Sequence, residues 1–150
     1  MITRISQRTQ DDCVICAVAM VMGPPYSYER VLADSDRYAK TTGNGKFVSW
    51  WETYLRDEGF QIAYRPFLDL SRLSNSGGNV LGLLGMEFTH LRKGHVRKGH
   101  VVAVDEFGVV DPAENAPAHV ALQDYVLARI RDGAVFEVEF LAVTRSRPST

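Results

Sequence analysis

The sequence has little of the material from which disulfide scaffolds, membrane spans and secretion signals are built. Its two cysteines, Cys13 and Cys16, are too few and too close together for the disulfide framework of a small secreted protein. No apolar run approaches the roughly 20 residues that a membrane helix needs. The first six residues lack the apolar core of a signal peptide. We therefore expect no membrane span and a cytoplasmic protein, or one exported by a route that the sequence does not reveal.

The chain also lacks an excess of charge of either sign. Its 17 Lys and Arg are balanced by 18 Asp and Glu, which leaves a formal net charge of -1. The one basic cluster, residues 92–98, is short, and glycine and histidine interrupt it, which is typical of a solvated loop. Since nucleic-acid binding needs a basic patch or stripe, we predict no nucleic-acid partner.

What is present is the composition of one ordinary globular domain. The chain has 150 residues, of which 45% are hydrophobic and 23% charged. A chain of this length buries most of its apolar surface without disulfides or metals. No repeat, low-complexity segment or linker divides it. We expect a single domain over residues 1–150, with a frayed tail over 145–150.

Hydrophobic patterning places helices in the first 60 residues and mainly strands in the rest. It predicts helices over 13–22, 28–33, about 47–58 and 122–131. It predicts strands over 60–65, 80–88, 100–104, 109–111 and 135–143. Residues 34–45 and 90–99 are predicted loops, and 68–73 a helical turn or two. Segregated helices followed by antiparallel strands indicate an α+β fold, with N-terminal helices packed on a C-terminal sheet.

Cys13 is the candidate nucleophile. A polar segment precedes it, and it stands in the first turn of an apolar helix for which Asp11 or Asp12 is the predicted N-cap. The partial positive charge at a helix N-terminus stabilises a thiolate and makes the thiol reactive. Cys16 lies one turn later between apolar residues, so we predict that it is a core residue.

A catalytic thiol needs a base and a group that orients the base. Three of the four histidines lie in predicted loops or at a helix start, whereas His100 opens the apolar strand 100–104. If the following hairpin loop has four residues or two, Asp111 lies on the same sheet face, roughly 6–8 Å from His100 at Cβ. We predict that Asp111 orients His100, whose other ring nitrogen then meets Cys13.

A tetrahedral intermediate also needs donors for its oxyanion. The backbone N–H of Cys13 is one candidate. The side-chain amides of Gln7 and Gln10 are candidates for the second.

Two other interpretations of the cysteines and histidines compete with the catalytic one. Cys13 and Cys16 form a C-x-x-C at a helix start, as in thioredoxin-like redox sites, although no apolar strand precedes it and no βαβ unit surrounds it. A zinc site from both cysteines and two of His90, His95 and His100 is conceivable, although a chain of this size does not need metal to fold. Trp50 and Trp51 belong to the core or to a cleft wall.

The pattern resembles the peptidase domain that cuts double-glycine leader peptides in bacteriocin-exporting ABC transporters. The resemblance lies in Gln7, six residues before Cys13, and in the helix residues Cys16-Ala17 and Ala19-Met20. It extends to Asp12 before the cysteine, to residues 99–104 (GHVVAV) and to residues 110–112 (VDP). The chain departs from the family at Val14, where glycine is usual, and in a short interval between histidine and aspartate.

The resemblance implies a papain-like cysteine proteinase fold and a Cys-His-Asp peptidase without metal or cofactor. Cys13 would be the nucleophile, His100 the base, Asp111 the orienting residue and Gln7 the oxyanion donor. We expect cleavage of a peptide or isopeptide bond in a peptide or protein substrate through an acyl-enzyme. The alternative is a catalytically inactive papain-like module that binds a peptide or partner protein. The sequence carries no signal for oligomeric state.

Overall fold

The computed structural model describes residues 2–9, 12–38, 50–65, 80–90, 97–113, 119–131 and 134–145. Within these ranges the fold is α+β, as predicted, with four helices and one five-stranded antiparallel sheet. The helices are α1 (Cys13–Met22), α2 (Tyr28–Ser35), α3 (Trp50–Asp57) and α4 (Leu122–Arg131). The strands are β1 (Phe60–Arg65), β2 (Gly82–His90), β3 (Arg97–Asp105), β4 (Gly108–Val110) and β5 (Ala134–Arg145).

The sheet has the strand order β1-β5-β2-β3-β4, and every neighbouring pair is antiparallel. The last strand of the chain therefore enters the sheet between β1 and β2. The strand that carries His100, β3, pairs with β2 from Arg97 to Val104, and Met86 is opposite His100. Its pairing with β4 is shorter and covers only Ala103 to Asp105.

Side chains that alternate along the strands of the sheet pack into two separate apolar clusters. The α1 cluster contains Leu83 and Ala103 from the sheet and most of α1, together with residues of α2 and α3. The α4 cluster consists of Val80, Leu84, Val102, Val104, Val109, Leu122, Tyr125 and Phe140. Since successive strand residues point to opposite faces, α1 and α4 cover opposite faces of the sheet.

The apolar helix α1 is buried almost all round, as its sequence predicted. Nine of its ten residues are buried, and Val14 is partly buried against the α1 cluster. The helix packs on β3, which places its first residue, Cys13, close to the start of the histidine strand. No helix in the described ranges is long and apolar enough to cross a membrane.

Local signals set the other helix ends. The Ser27 side chain accepts a hydrogen bond from the Arg30 backbone N–H at 3.1 Å, so the predicted cap of α2 is confirmed. After α3, Gly59 adopts a φ of 89°, the left-handed conformation that ends helices and that glycine takes most easily.

Several predicted boundaries are wrong because polar residues extend regular elements. His90 belongs to β2 and residues 97–99 to β3, since backbone pairing continues to Thr89 opposite Arg97 without apolar side chains. Helix α2 runs on to Ser35, whose hydroxyl donates to the Leu32 carbonyl at 2.7 Å. Arg145 pairs with Phe60 instead of fraying. The remaining predicted loop residues 39–45 and 91–96, the turns at 68–73 and the tail 146–150 lie outside the described residues.

The hairpin between β3 and β4 has the parity on which the site prediction depends. Asp105 pairs with Gly108 and Val104 with Val109, so the loop consists of only two residues, Glu106 and Phe107. The strand ends at Val110, one residue earlier than predicted. Even so, continuing this register by one residue places Asp111 on the same face of the sheet as His100.

We predict that Gly82→Ala weakens the centre of the sheet. A Cβ at Gly82 would clash with the Leu141 carbonyl oxygen and would lie 2.6 Å from a ring carbon of Phe140. Because the obstacle is the backbone of the paired strand, we expect the free energy of unfolding in urea to fall by about 3 kcal/mol. Gly59→Ala is the control, since its Cβ would meet no atom within 4 Å and adds only backbone strain, about 1 kcal/mol. Equal small losses in both variants would contradict the close approach of β2 to β5.

Candidate active site

His100 and Asp111 form a hydrogen-bonded pair in which Asp111 is buried and His100 is partly buried. His100 Nε2 lies 2.8 Å from Asp111 Oδ1, and the two side chains are only 17% and 5% exposed. The prediction that these two side chains meet on one face of the sheet is confirmed. Its basis was hairpin parity, which depends only on the number of loop residues.

Other parts of the chain fix the position of Asp111. The Ala113 backbone N–H donates to its Oδ1 at 2.8 Å, and the Tyr125 hydroxyl donates to its Oδ2 at 2.6 Å. Arg4 donates to its backbone carbonyl oxygen at 2.7 Å. Burial opposes the charge on Asp111, but the hydrogen bonds and the charge of His100 outweigh it and lower the pKa of the carboxyl group. Asp111 is therefore a carboxylate with donors on both oxygens.

Cys13 is the second hydrogen-bond partner of His100. It is the first residue of α1, it is buried, and its thiol is free. Burial alone would lower the pKa of His100, but hydrogen bonds to Asp111 and to Cys13 outweigh burial and raise that pKa to about 9. Since Nε2 is bound to Asp111, Nδ1 is the ring nitrogen that remains for Cys13. The structure thus brings Cys13, His100 and Asp111 together in that order.

Cys16 is a core residue, as predicted. It has no exposed surface, and its thiol is free. Burial raises the pKa of the Cys16 thiol to about 12, with smaller contributions from the charges of Asp12 and Cys13. Cys16 therefore stays protonated and unreactive while Cys13 sits beside a cation.

Asp12 shapes the turn that leads into Cys13. It occupies the N-cap position of α1, as predicted, but its side chain makes no cap hydrogen bond to the helix. Its Oδ2 instead accepts hydrogen bonds from the backbone N–H groups of Arg8 (3.0 Å) and Thr9 (3.2 Å) and from the Tyr28 hydroxyl (2.8 Å). A φ of -105° and ψ of 17° turn the carboxylate back toward the preceding segment. Asp11, the other candidate cap, lies outside the described residues.

Gln7 contacts the turn that follows Asp111, and it does so through its backbone. Its N–H donates to the Pro112 carbonyl oxygen at 2.8 Å, which ties the segment before Cys13 to the residue after Asp111. Its side-chain Nε2 donates to the Thr9 carbonyl oxygen at 2.9 Å. The oxyanion role of Gln7 stays a prediction, and Gln10 lies outside the described residues.

Of the three remaining histidines, only His119 has a side chain that the structure describes. His119 pairs with the buried Asp105 at 3.1 Å, and Asp105 also accepts the Ile2 backbone N–H at 2.8 Å, which fastens the N-terminal segment. His95 lies outside the described residues, and His90 is described only by its backbone. In the part of the chain that the structure describes, no cluster of three or more histidine, cysteine or acidic residues could hold a metal.

Trp50 belongs to the core, one of its two predicted environments. It is buried in the α1 cluster with its ring centroid 5.9 Å from that of Tyr54, whereas Trp51 is partly buried beside it.

Sequence reasoning missed Tyr125 and Arg4. Tyr125 occupies an apolar position of a predicted helix, where a tyrosine is indistinguishable from packing. Arg4 is an ordinary surface cation in sequence. In both cases the functional contact is made across the fold, with sequence separations of 14 and 107 residues, so no local pattern encodes it.

Comparison with known proteins adds no relative. The chain matches no protein-family model, no curated protein and no solved structure. Its function is therefore inferred from the geometry of Cys13, His100 and Asp111.

The raised pKa of His100 predicts a pH-dependent contribution to stability. An unfolded histidine has a pKa of about 6.5, whereas the folded value is about 9. Protonated His100 therefore stabilises the fold fully below pH 6.5, and this contribution is lost as the pH rises through 9. We expect the difference in unfolding free energy between wild type and His100→Asn to shrink by about 2–3 kcal/mol between pH 6 and pH 9.5.

Urea denaturation at the two pH values measures this difference. Asp111 does not contribute to it, because the pKa of its carboxyl group is lowered, so its stabilisation is lost only in acid. In the Asp111→Asn background the change should be smaller, because a main cause of the His100 shift is gone. A difference that is the same at both pH values would show that His100 is not held as a cation.

Proposed function

We propose that the chain is a cysteine peptidase of papain-like fold, with Cys13, His100 and Asp111 as its catalytic triad. The observation that carries the proposal is one line of contacts. A thiol at a helix N-terminus meets a histidine, and a buried carboxylate held by donors on both oxygens orients that histidine. This is the arrangement that activates a thiol for attack on a carbonyl carbon.

The charge of His100 determines the reactive form of Cys13. A histidine whose pKa is about 9 is a cation at neutral pH. A cation beside a thiol favours the thiolate, and the N-terminus of α1 adds its own partial positive charge. The proposed reactive form is a thiolate–imidazolium pair, in which the proton of Cys13 has moved to His100.

The reaction follows from this pair. The Cys13 thiolate attacks the carbonyl carbon of a peptide bond and forms a C–S bond, while the carbonyl oxygen becomes an oxyanion. His100 gives its Nδ1 proton to the leaving amine, the C–N bond breaks, and an acyl-enzyme remains. Neutral His100 then takes a proton from water as the water attacks the thioester. The carboxylic acid leaves and the thiolate–imidazolium pair is restored.

Two groups are proposed to stabilise the oxyanion. The backbone N–H of Cys13 has no acceptor within its own helix, because it belongs to the first turn. The Gln7 side-chain amide is the second. The resemblance to leader-peptide peptidases supports the role of Gln7, and a peptide or protein is the proposed substrate.

A second candidate is an inactive module of the same fold that binds a peptide or partner protein. The contact between Gln7 Nε2 and the Thr9 carbonyl oxygen favours it, since that amide faces the backbone of its own turn. Val14, where the similar family usually has glycine, points the same way. Such a module would keep its cleft but show no exceptional thiol reactivity.

Alkylation by iodoacetamide at pH 6, followed by mass spectrometry, tests the proposed thiolate. An isolated thiol with a pKa near 8.5 is only about 0.3% ionised at this pH, so His100→Asn should slow alkylation of Cys13 by about 100-fold. Cys13→Ala should abolish the fast labelling, whereas Cys16→Ala should retain it.

His119→Asn is the matched control, because it removes the histidine of the other buried His–Asp pair. It should leave the alkylation rate unchanged. Slow alkylation of the wild-type Cys13, at the rate of an ordinary thiol, would sink the peptidase proposal and favour the inactive module.

A further inference from the structure

Tyr125 contacts the oxygen of Asp111 that does not bind His100. Its hydroxyl donates to Asp111 Oδ2 at 2.6 Å, whereas His100 and the Ala113 N–H both bind Oδ1. Tyr125 is 2% exposed and lies on α4, within the α4 cluster. The Arg129 guanidinium, one turn later, lies 5.2 Å from the centre of its ring. The tyrosine is thus rigidly packed and brings its hydroxyl to the site from a separate element.

The carboxylate of Asp111 needs such a contact because its strand has already ended. Asp111 follows β4, so no ladder pairing of its own holds it. Two donors on Oδ1 alone leave the carboxylate free to pivot about that oxygen. A donor on Oδ2, delivered by a different element, fixes the plane of the carboxylate and hence the direction in which Oδ1 faces His100 Nε2.

We propose that Tyr125 is a positioning residue of the active site. Its hydroxyl fixes the orientation of the Asp111 carboxylate, and so holds that carboxylate against His100. The inference deepens the proposed peptidase function and rests on it for its catalytic meaning. Without the hydroxyl, Oδ2 would remain buried with its donor removed, which is unfavourable for a carboxylate. The carboxylate would then turn to find another donor, and its bond to His100 would weaken.

The titration of His100 reports this effect directly. Among the described residues, the titratable and charged groups around the pair are few. Cys13 faces His100 from α1, Arg4 binds the Asp111 backbone carbonyl, and Tyr125 with Arg129 covers Asp111 from α4. Asp12 turns its carboxylate toward Arg8, Thr9 and Tyr28 instead. Removal of one hydroxyl therefore changes a single contact of Asp111.

The test follows His100 through its pH titration by NMR in wild type and in Tyr125→Phe. Phenylalanine keeps the ring packing and deletes only the hydroxyl. We expect the proton affinity of His100 to fall by about three- to tenfold, the size of effect that one lost hydrogen bond produces. An unchanged His100 titration in a folded Tyr125→Phe protein would overturn the proposal.

Tyr54→Phe is the matched control. Tyr54 is fully buried, and its hydroxyl donates to Asp34 at 2.7 Å in the α1 cluster region. Its loss should destabilise the fold to a similar degree while leaving the His100 titration in place. An equal shift of His100 in both variants would show a general effect of destabilisation and would also overturn the proposal.

A second measurement needs no variant at Tyr125. In wild-type protein labelled with ¹³C at the tyrosine Cζ, the Tyr125 resonance should inflect at the same pH as His100, because Asp111 links the two residues. A Tyr125 resonance that stays flat across the His100 titration would contradict the link.

These readouts require no turnover, so they separate the two proposals. A shift of His100 in Tyr125→Phe combined with ordinary alkylation of Cys13 would keep the positioning role and refute the peptidase. Fast alkylation of Cys13 combined with an unchanged His100 titration in Tyr125→Phe would support the peptidase and refute the positioning role.

Discussion

The buried carboxylate of Asp111 is the interaction on which the site depends. A charge removed from water is tolerated only with partners, and here the partners come from across the chain. His100 binds it from β3, Tyr125 from α4, the Ala113 N–H from the following turn, and Arg4 binds its backbone carbonyl from the N-terminal segment. Satisfying Asp111 therefore brings β3, α4 and the N-terminal segment to one corner of the sheet and gives His100 its direction.

The apolar helix α1 supplies the other half of the arrangement. Its burial on β3 fixes the axis of the helix, and the hydrogen bonds of Asp12 fix the turn before it, so the first residue of the helix has little freedom. Cys13 occupies that position and Cys16 lies one turn deeper. The same helix thus holds one thiol beside a cation and another in the core, where burial keeps it protonated.

The spacing of apolar residues and the number of residues in the hairpin loop made much of the fold and of the site predictable from the sequence. The bounds of α1 and α4, the strand 60–65 and the meeting of His100 with Asp111 follow from apolar spacing and hairpin parity, both of which are local rules. The polar ends of β2 and β3 were missed because backbone pairing sustains them without apolar side chains. Tyr125, Arg4 and the true partners of Asp12 were missed because they are defined only once the chain has folded.

The capacity of Cys13 to accept an acyl group and release it is the central claim, and intact-mass spectrometry during reaction with an activated peptide ester at pH 6 tests it most directly. We expect a transient mass increase equal to the acyl group, located on Cys13, absent in Cys13→Ala and followed by hydrolysis. An ester that survives without acylation, or an acyl group that appears equally in Cys13→Ala, would contradict it.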